Sequence, residues 1–213
     1  RIVIDGDFGP ATDYALRRFQ EKEGLKVDGI VGPKTFTKLT LPMTNALQTI
    51  ATGSKSLGEM VVAYAEQHLK SLPREVGGQN KGPWVRLYMK GGQGTDYAWC
   101  AGFVCFILEQ ACKSLNRPLP IKTSFSCDDL AASAKKANIF LPEGTSKDKI
   151  TPGSIFLRRS KPNDWTHTGI VVKTESECFL TIEGNTNDEG NREGYEVCDR
   201  TQGYKNRDFI LIQ

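Results

Sequence analysis

Residues 95–104 read Thr-Asp-Tyr-Ala-Trp-Cys-Ala-Gly-Phe-Val, and this stretch decides how most of the chain is interpreted. A polar, glycine-rich loop precedes it, and from Cys100 onward apolar residues recur at helical spacing. The apolar residues of this pattern are Phe103, Val104, Ile107, Leu108, Ala111 and Leu115. The pattern predicts a helix with Cys100 in its first turn, where the helix dipole favours a thiolate.

The chain has only two histidines. His68 lies in a helical run and is expected to pack or to lie at the surface. His167 lies in Asp-Trp-Thr-His-Thr-Gly-Ile-Val-Val, which is typical of the start of a strand, and the next strand pattern contains Glu183 and Asn185. These two side chains are expected on one face of their strand, where either could accept the second ring N–H of His167. Cys100 as nucleophile, His167 as base and one of these two side chains as orienting group are the parts of a cysteine hydrolase. The N–H of Cys100 is a candidate oxyanion donor.

The six cysteines require that other roles be considered, because a buried free cysteine usually packs. Cys105 and Cys112 lie on the same predicted helix as the candidate nucleophile and are expected to pack. Cys127 lies at another predicted helix start, which makes it the main rival nucleophile. Cys178 and Cys198 lie on neighbouring predicted strands and could form a disulfide. The alternative is that all six are thiols, as in a protein made in a reducing cytoplasm.

A metal site is the other interpretation of cysteine beside histidine. The sequence has no Cys-x-x-Cys pair and no second histidine near His167, so the spacing of a structural zinc site is missing. The loop at residues 91–96 offers one carboxylate, Asp96, whereas calcium takes about six or more oxygen ligands. We therefore predict no metal and no other cofactor.

Four motifs together resemble the CHAP domain, a branch of the NlpC/P60-like amidohydrolases of papain fold. Residues 80–88 read Asn-Lys-Gly-Pro-Trp-Val-Arg-Leu-Tyr, and residues 97–104 read Tyr-Ala-Trp-Cys-Ala-Gly-Phe-Val. Residues 166–171 read Thr-His-Thr-Gly-Ile-Val, and residues 182–185 read Ile-Glu-Gly-Asn. No single motif is specific, but their order and separations are, and the resemblance covers residues 57–213.

The resemblance implies a papain-like CHAP domain in which helices pack on an antiparallel sheet. The order of helices followed by five strand patterns independently predicts the α+β class. The resemblance also implies a cysteine-dependent peptidoglycan amidase or endopeptidase, in which Glu183 orients the histidine and Asn185 supports it. Four aromatic side chains are expected to line the substrate groove, with burial in the core as the alternative: Tyr97, Trp99, Trp165 and Trp84.

The N-terminal region carries a repeat of a different kind. Residues 5–12 read Asp-Gly-Asp-Phe-Gly-Pro-Ala-Thr, and residues 28–35 read Asp-Gly-Ile-Val-Gly-Pro-Lys-Thr. Each copy predicts a glycine turn followed by a proline at a helix start, and we expect Phe36 and Leu39 to face inward. The repeat resembles the peptidoglycan-binding domain of wall enzymes, although a plain helical domain is the alternative. Family members begin with a further helix, so we expect this module to lack its first helix or to be truncated.

These features divide the chain into an all-α module at residues 1–41, a linker at 42–56 and the CHAP-like domain at 57–213. The 28 basic and 25 acidic residues give a net charge of +3 without a basic stripe, so nucleic acid is not an expected partner. No apolar run is long enough to span a membrane, and no signal peptide is visible. We expect a monomer with bacterial peptidoglycan as its partner.

Several functions fit these predictions. The leading hypothesis is a phage endolysin-like hydrolase, made in the host cytoplasm and acting on the cell wall. A bacterial autolysin or a secreted antibacterial effector would use the same chemistry. A catalytically silent wall-binding protein and a general protease are the alternatives of other classes. The bond that is cut is left open between the stem peptide, the cross-bridge and the muramoyl–alanine amide.

Overall fold

A computed structural model describes residues 4–187 and 194–213 of the chain. The chain forms two compact units, Arg1–Gln48 and Thr49–Gln213. The first three residues, on which the expected N-terminal truncation depends, lie outside the described residues.

The first unit contains helices α1 (Pro10–Lys22) and α2 (Pro33–Ala46). Both prolines of the repeat open a helix after a glycine, as predicted, because proline at the first position loses no helical hydrogen bond. Helix α2 continues through Pro42, so residues 42–46 of the expected linker are helical. The predicted start of the linker at residue 42 therefore lies inside a helix, because Pro42 does not end α2.

The interior of the first unit is partly polar. Leu16 is buried, but Phe36 and Leu39 are 59% and 45% exposed, so the prediction that they face inward is wrong. The fully buried Gln20 holds the turn at residues 28–30 instead. Its Nε2 donates to the carbonyl of residue 30 at 3.0 Å, and its Oε1 accepts the N–H of residue 29 at 2.9 Å. A glutamine that satisfies its hydrogen bonds can take an interior position that an apolar side chain would otherwise fill.

The second unit contains four helices and six strands among its described residues. The helices are α3 (Leu57–Lys70), α4 (Pro83–Tyr88), α5 (Cys100–Ser114) and α6 (Cys127–Lys136). The strands are β1 (Phe140–Leu141), β2 (Ile155–Lys161), β3 (Asp164–Thr174), β4 (Cys178–Thr186), β5 (Glu196–Gly203) and β6 (Arg207–Ile210). All neighbouring strands are antiparallel, in the order β1-β6-β2-β3-β4-β5. The predicted α+β class with an antiparallel sheet is therefore confirmed.

Helix α3 packs against α5 and the sheet. A capping box starts it: Ser56 N–H donates to the Glu59 carboxylate at 2.7 Å, and the Ser56 hydroxyl accepts the Glu59 N–H at 3.3 Å. His68 near its end is fully buried, with Nδ1 at 2.8 Å from the Tyr88 hydroxyl and Nε2 at 2.8 Å from Oε1 of Gln110. Of the two alternatives for His68, the structure selects packing over a place at the surface.

The sheet carries a core of aromatic and aliphatic side chains. This cluster consists of Ile150, Phe156, Val171, Phe179 and Phe209. Helix α5 lies close against β4, because a Cβ on Gly184 would come within 2.7 Å of Phe103 and 2.8 Å of Trp99. In residues 4–187 and 194–213, no helix has both the length and the apolar character needed to cross a bilayer.

Candidate active site

Cys100 is the first residue of α5, as the apolar pattern predicted. Its side chain is 5% exposed. The backbone N–H of Ala101 is among the groups that lower the pKa of this thiol. The first N–H groups of a helix have no partner within the helix and carry its positive dipole end. The nucleophile candidate therefore lies in a setting that stabilises negative charge on sulfur.

His167 on β3 and Glu183 on β4 are joined by a hydrogen bond. The distance from His167 Nε2 to Glu183 Oε2 is 2.8 Å, and both side chains are at most 4% exposed. His167 and Cys100 also shift each other's pKa through hydrogen bonding and charge. Because Nε2 is bonded to the carboxylate, Nδ1 is the ring atom left for the thiol. The structure thus brings Cys100, His167 and Glu183 together at one buried site.

The far oxygen of the Glu183 carboxylate is held by two further side chains. The Thr181 hydroxyl donates to Oε1 at 2.5 Å, and Nε2 of Gln202 donates to the same oxygen at 2.8 Å. Arg207 in turn donates to Oε1 of Gln202 at 2.9 Å, which fixes the amide orientation. We call Thr181 and Gln202 the carboxylate clamp. Sequence reasoning missed this clamp because Gln202 comes from the next strand.

The contacts shift the acid–base properties of all three groups. Burial lowers the pKa of His167, but the hydrogen bonds and charges of Cys100 and Glu183 raise it overall to about 9. Burial raises the pKa of Glu183, but the His167 bond and charge and the clamp lower it below its ordinary value. For Cys100, a hydrogen bond from Cys127 and the contacts with His167 outweigh burial and hold the pKa well below its usual range. These directions describe a thiolate–imidazolium pair beside a carboxylate.

Asn185 differs from Glu183 in its surroundings. It has a φ of 55° and lies where the pairing of β4 with β5 shifts register between Glu183 and Thr186. Its Oδ1 is buried without a hydrogen-bond partner among the described residues. A residue with a left-handed backbone conformation at a bulge interrupts the alternation of side chains along a strand. The prediction that Glu183 and Asn185 lie on one face of β4 depended on that alternation. The imidazole bond to Glu183 selects the carboxylate as the orienting group.

The aromatic residues expected at the groove mostly lie in the core. Trp99 is fully buried, stacks on Tyr88 and donates its ring N–H to Glu75 at 2.9 Å. Trp84 is 9% exposed and also stacks on Tyr88. Trp165 is 7% exposed and donates its ring N–H to Asp208 at 2.8 Å. Tyr97, at 40% exposed, is the member of this set with an accessible ring.

Cys127, which the sequence offered as a rival nucleophile, lies beside Cys100 instead. Hydrogen bonding with Cys100 and burial raise the pKa of Cys127 well above its ordinary value. A raised pKa makes a thiol a poorer nucleophile, so Cys100 is the stronger candidate of the two.

The remaining cysteines do not share this setting. None of the six cysteines forms a disulfide. Strand register pairs Cys178 with Gly203 and Cys198 with Glu183, which separates the two cysteines for which a disulfide was considered. Cys105 donates to the Ser124 carbonyl at 3.3 Å, and burial raises its pKa to about 11. Within the part of the chain that the structure describes, no three His, Cys, Asp or Glu side chains converge to hold a metal ion.

Comparison with known proteins identifies the N-terminal region. Residues 1–39 match the family described as "Putative peptidoglycan binding domain". A 39-residue stretch is 56% identical to a protein of Streptomyces albus G named zinc D-Ala-D-Ala carboxypeptidase, covering 18% of this chain and 15% of the relative. A 32-residue stretch is 62% identical to a Bacillus cereus protein named spore cortex-lytic enzyme, covering 15% of this chain and 12% of the relative.

The chain thus spans less than a sixth of the length of either relative. No solved structure matches the chain. The similarity to a peptidoglycan-binding domain belongs to the first unit, and the chemistry of the second unit rests on its own geometry.

Proposed function

We propose that the second unit is a papain-like CHAP domain and hydrolyses an amide bond of peptidoglycan. The observation that carries this proposal is the 2.8 Å bond from His167 to Glu183, and the same imidazole lowers the pKa of a buried cysteine at a helix start. A nucleophile, a base and an orienting carboxylate in contact are the parts of a cysteine hydrolase. The four motifs that resemble CHAP domains include all three residues.

The first half of the reaction follows from the charge states. The Cys100 thiolate attacks the amide carbonyl carbon, and the carbonyl oxygen takes up negative charge. Backbone N–H groups at the start of α5 are placed to stabilise that oxyanion. The His167 imidazolium then donates its proton to the leaving amine, which leaves a thioester on Cys100.

The second half regenerates the enzyme. Neutral His167 takes a proton from water, and the resulting hydroxide attacks the thioester carbonyl. The collapse of this intermediate releases the carboxylic acid and the thiolate, and the imidazole keeps the proton. Glu183 holds the ring in one orientation throughout and stabilises the imidazolium that each cycle requires.

Peptidoglycan is the proposed substrate because the first unit matches a peptidoglycan-binding family. Both relatives carry names of wall-acting enzymes, but one is named for zinc, and its match covers only 18% of this chain. We infer cysteine chemistry for the second unit from its own side chains. Six cysteines without a disulfide support synthesis in a reducing cytoplasm before release to the wall, as in a phage endolysin.

Digestion of purified peptidoglycan tests the proposal. We expect wild type to release fragments, and Cys100→Ala to lose activity by roughly 10⁴-fold or more. Cys112→Ala is the matched control, because Cys112 is a buried cysteine on the same helix without a contact to His167. Mass spectrometry of the fragments identifies the bond: free stem peptides indicate an amidase, and shortened stems or opened cross-bridges indicate an endopeptidase.

Two results would contradict the proposal. Equal digestion by wild type and folded Cys100→Ala would exclude this nucleophile. Sedimentation of the protein with peptidoglycan, without fragments from either protein, would favour a silent wall-binding protein. Circular dichroism of each variant separates loss of chemistry from loss of fold.

A further inference from the structure

A cavity of about 430 Å³ lies beside the start of β6 and takes no part in the reaction described above. The loop at residues 144–148 lines one part of it, and Tyr204 and Arg207 line another. Ile150 and Phe209, which belong to the core cluster of the sheet, complete the lining with apolar surface. A volume of this size accommodates a small organic ligand.

The lining carries more positive than negative charge. It contains the Lys147 ammonium, the Arg207 guanidinium and one carboxylate, Asp148, which accepts a hydroxyl of its own loop. Nζ of Lys147 lies 4.8 Å from the centroid of the Tyr204 ring and donates to the carbonyl of Ser176. Because these two partners are neutral, Lys147 is held at the cavity with its charge unpaired by an acid.

The hydrogen bonds of Arg207 within residues 4–187 and 194–213 all go to neutral acceptors. The guanidinium donates to the carbonyls of Lys205 at 3.1 Å and Asn206 at 3.3 Å, and to Oε1 of Gln202 at 2.9 Å. Its Nε–H is buried and has no acceptor among the described residues. A guanidinium matches carboxylates and phosphates best, so this one retains a capacity for an anion.

A second guanidinium lies across from Arg207 in the sheet. Arg158 on β2 is directly opposite Arg207 on β6, and like charges directly opposite destabilise a sheet. Burial and then the charge of Arg158 lower the pKa of Arg207. The two carboxylates that oppose this shift have partners of their own, since Glu143 pairs with Arg159 and Glu183 belongs to the proposed catalytic site. A bound anion would offset the repulsion.

We propose that this cavity is a binding site for a small organic carboxylate, which Arg207 and Lys147 hold by its charge. The apolar surface of Ile150, Tyr204 and Phe209 would contact the carbon skeleton, so a bare inorganic anion would use only part of the site. A peptidoglycan hydrolase meets the free carboxylates of stem peptides, which makes an acylated amino acid or peptide the ligand class. This last step rests on the proposed function, whereas the site itself does not.

Hydrogen bonds connect the cavity with the proposed base. Arg207 donates to Oε1 of Gln202 at 2.9 Å, and Nε2 of the same amide donates to Glu183 at 2.8 Å. The other oxygen of that carboxylate lies 2.8 Å from Nε2 of His167. A ligand on Arg207 is therefore three hydrogen bonds away from the imidazole, and its binding should change the surroundings of the ring.

Calorimetric titration of the full chain tests the site with N-acetyl-D-alanine, N-acetyl-D-alaninamide and inorganic phosphate. We expect the acid to bind about tenfold or more tightly than the amide, which lacks the charge. Phosphate, which lacks the carbon skeleton, should bind more weakly than the acid. Lys147→Met, an exposed change, should weaken binding of the acid by about tenfold. Lys149→Met is the matched control, because Lys149 lies on the same short helix, Lys147–Lys149, outside the lining.

Nuclear magnetic resonance tests the connection with the imidazole. The chain has only two histidines, so their ring signals are easily assigned. Saturation with N-acetyl-D-alanine should move the His167 signal and leave that of His68, whose ring contacts Tyr88 and Gln110 instead. In Gln202→Ala the acid should still bind, but the His167 signal should stay in place because the connection is cut.

Each outcome has a defined meaning. Equal affinity for acid and amide, tighter binding of phosphate than of the acid, or unchanged affinity in Lys147→Met would overturn the carboxylate site, even if the protein digests peptidoglycan. A His167 signal that stays in place in wild type, or still moves in Gln202→Ala, would overturn the connection. Binding of the acid by a wild type that digests no peptidoglycan would leave the site standing and remove the proposed function.

Discussion

At the scale of the residue, the protonation of Cys100 and His167 should determine the pH range of the proposed activity. His167 has a pKa raised to about 9, and the pKa of Cys100 is lowered. We predict that kcat/KM on peptidoglycan falls as pH rises through about 9, because the imidazolium that donates to the leaving amine is lost. At neutral pH the thiolate should persist, so iodoacetamide should alkylate Cys100 faster than an ordinary thiol.

The same shift makes a prediction about stability. The folded pKa of His167 exceeds its value of about 6.5 in the unfolded chain. The ion pair of His167 with Glu183 therefore stabilises the fold fully below about pH 6.5. Its contribution disappears as pH rises through about 9. Urea unfolding at several pH values should show wild type losing stability over this interval, and His167→Ala lacking that component. An identical pH dependence in both proteins would contradict the assigned pKa.

The carboxylate clamp gives a prediction about catalysis. Gln202→Ala removes a donor at 2.8 Å from the Glu183 carboxylate. A hydrogen bond to a charged group contributes about 1.5–3 kcal/mol, so we expect kcat to fall by about ten- to a hundredfold. A carboxylate that is less well held also stabilises the imidazolium less, so the alkaline limb of the pH profile should move below about 9.

Thr181 supplies a matched pair of variants for the clamp. Thr181→Ser keeps the hydroxyl that donates to Glu183 and should retain activity, whereas Thr181→Val removes it and should resemble Gln202→Ala. The pH profile separates positioning from packing, because a purely structural loss would lower kcat without moving the alkaline limb. An unshifted limb in both Thr181→Val and Gln202→Ala would show that the clamp does not position the carboxylate.

At the scale of the element, close packing of α5 on β4 aligns the nucleophile with its carboxylate. A Cβ on Gly184 would come within 2.7 Å of Phe103 and 2.8 Å of Trp99, residues that flank the nucleophile on α5. We predict that Gly184→Ala costs about 1–3 kcal/mol of stability and lowers kcat, because β4 must move away from α5. Gly203→Ala is the control, since a Cβ there meets no atom within 4 Å. Denaturation midpoints and kcat that match between the two variants would contradict this role.

Comparison of these elements shows which features could be predicted from the sequence. The place of Cys100 at the start of α5 follows from a local apolar period, and the place of His167 near the start of β3 follows from a local strand pattern. The contact with Cys127 could not be predicted, because it depends on where α6 packs in three dimensions. The side-chain direction at Asn185 could not be predicted either, because a bulge changes the alternation of side chains along β4 and leaves no clear local signal in the sequence.

At the scale of the whole molecule, two units divide the proposed work between wall binding and hydrolysis. Such a division is expected when a compact module and a larger domain each have their own interior. Gln20 belongs to the interior of the first unit, where it holds the turn at residues 28–30. The residues of the proposed catalytic site all lie within the second unit. Binding to the insoluble wall and cleavage of a small soluble fragment should therefore respond to different substitutions.

Gln20→Ala tests this division in the full chain. It removes two hydrogen bonds to the 28–30 turn, worth about 0.5–1.5 kcal/mol each, so the turn should loosen. We expect less protein to sediment with insoluble peptidoglycan, while the rate on soluble muropeptides stays at the wild-type value. Glu21→Gln, an exposed change on the same helix, should alter neither quantity. If Gln20→Ala sediments as well as wild type, the first unit is not the wall-binding element; if it also slows cleavage of soluble fragments, the two units do not work independently.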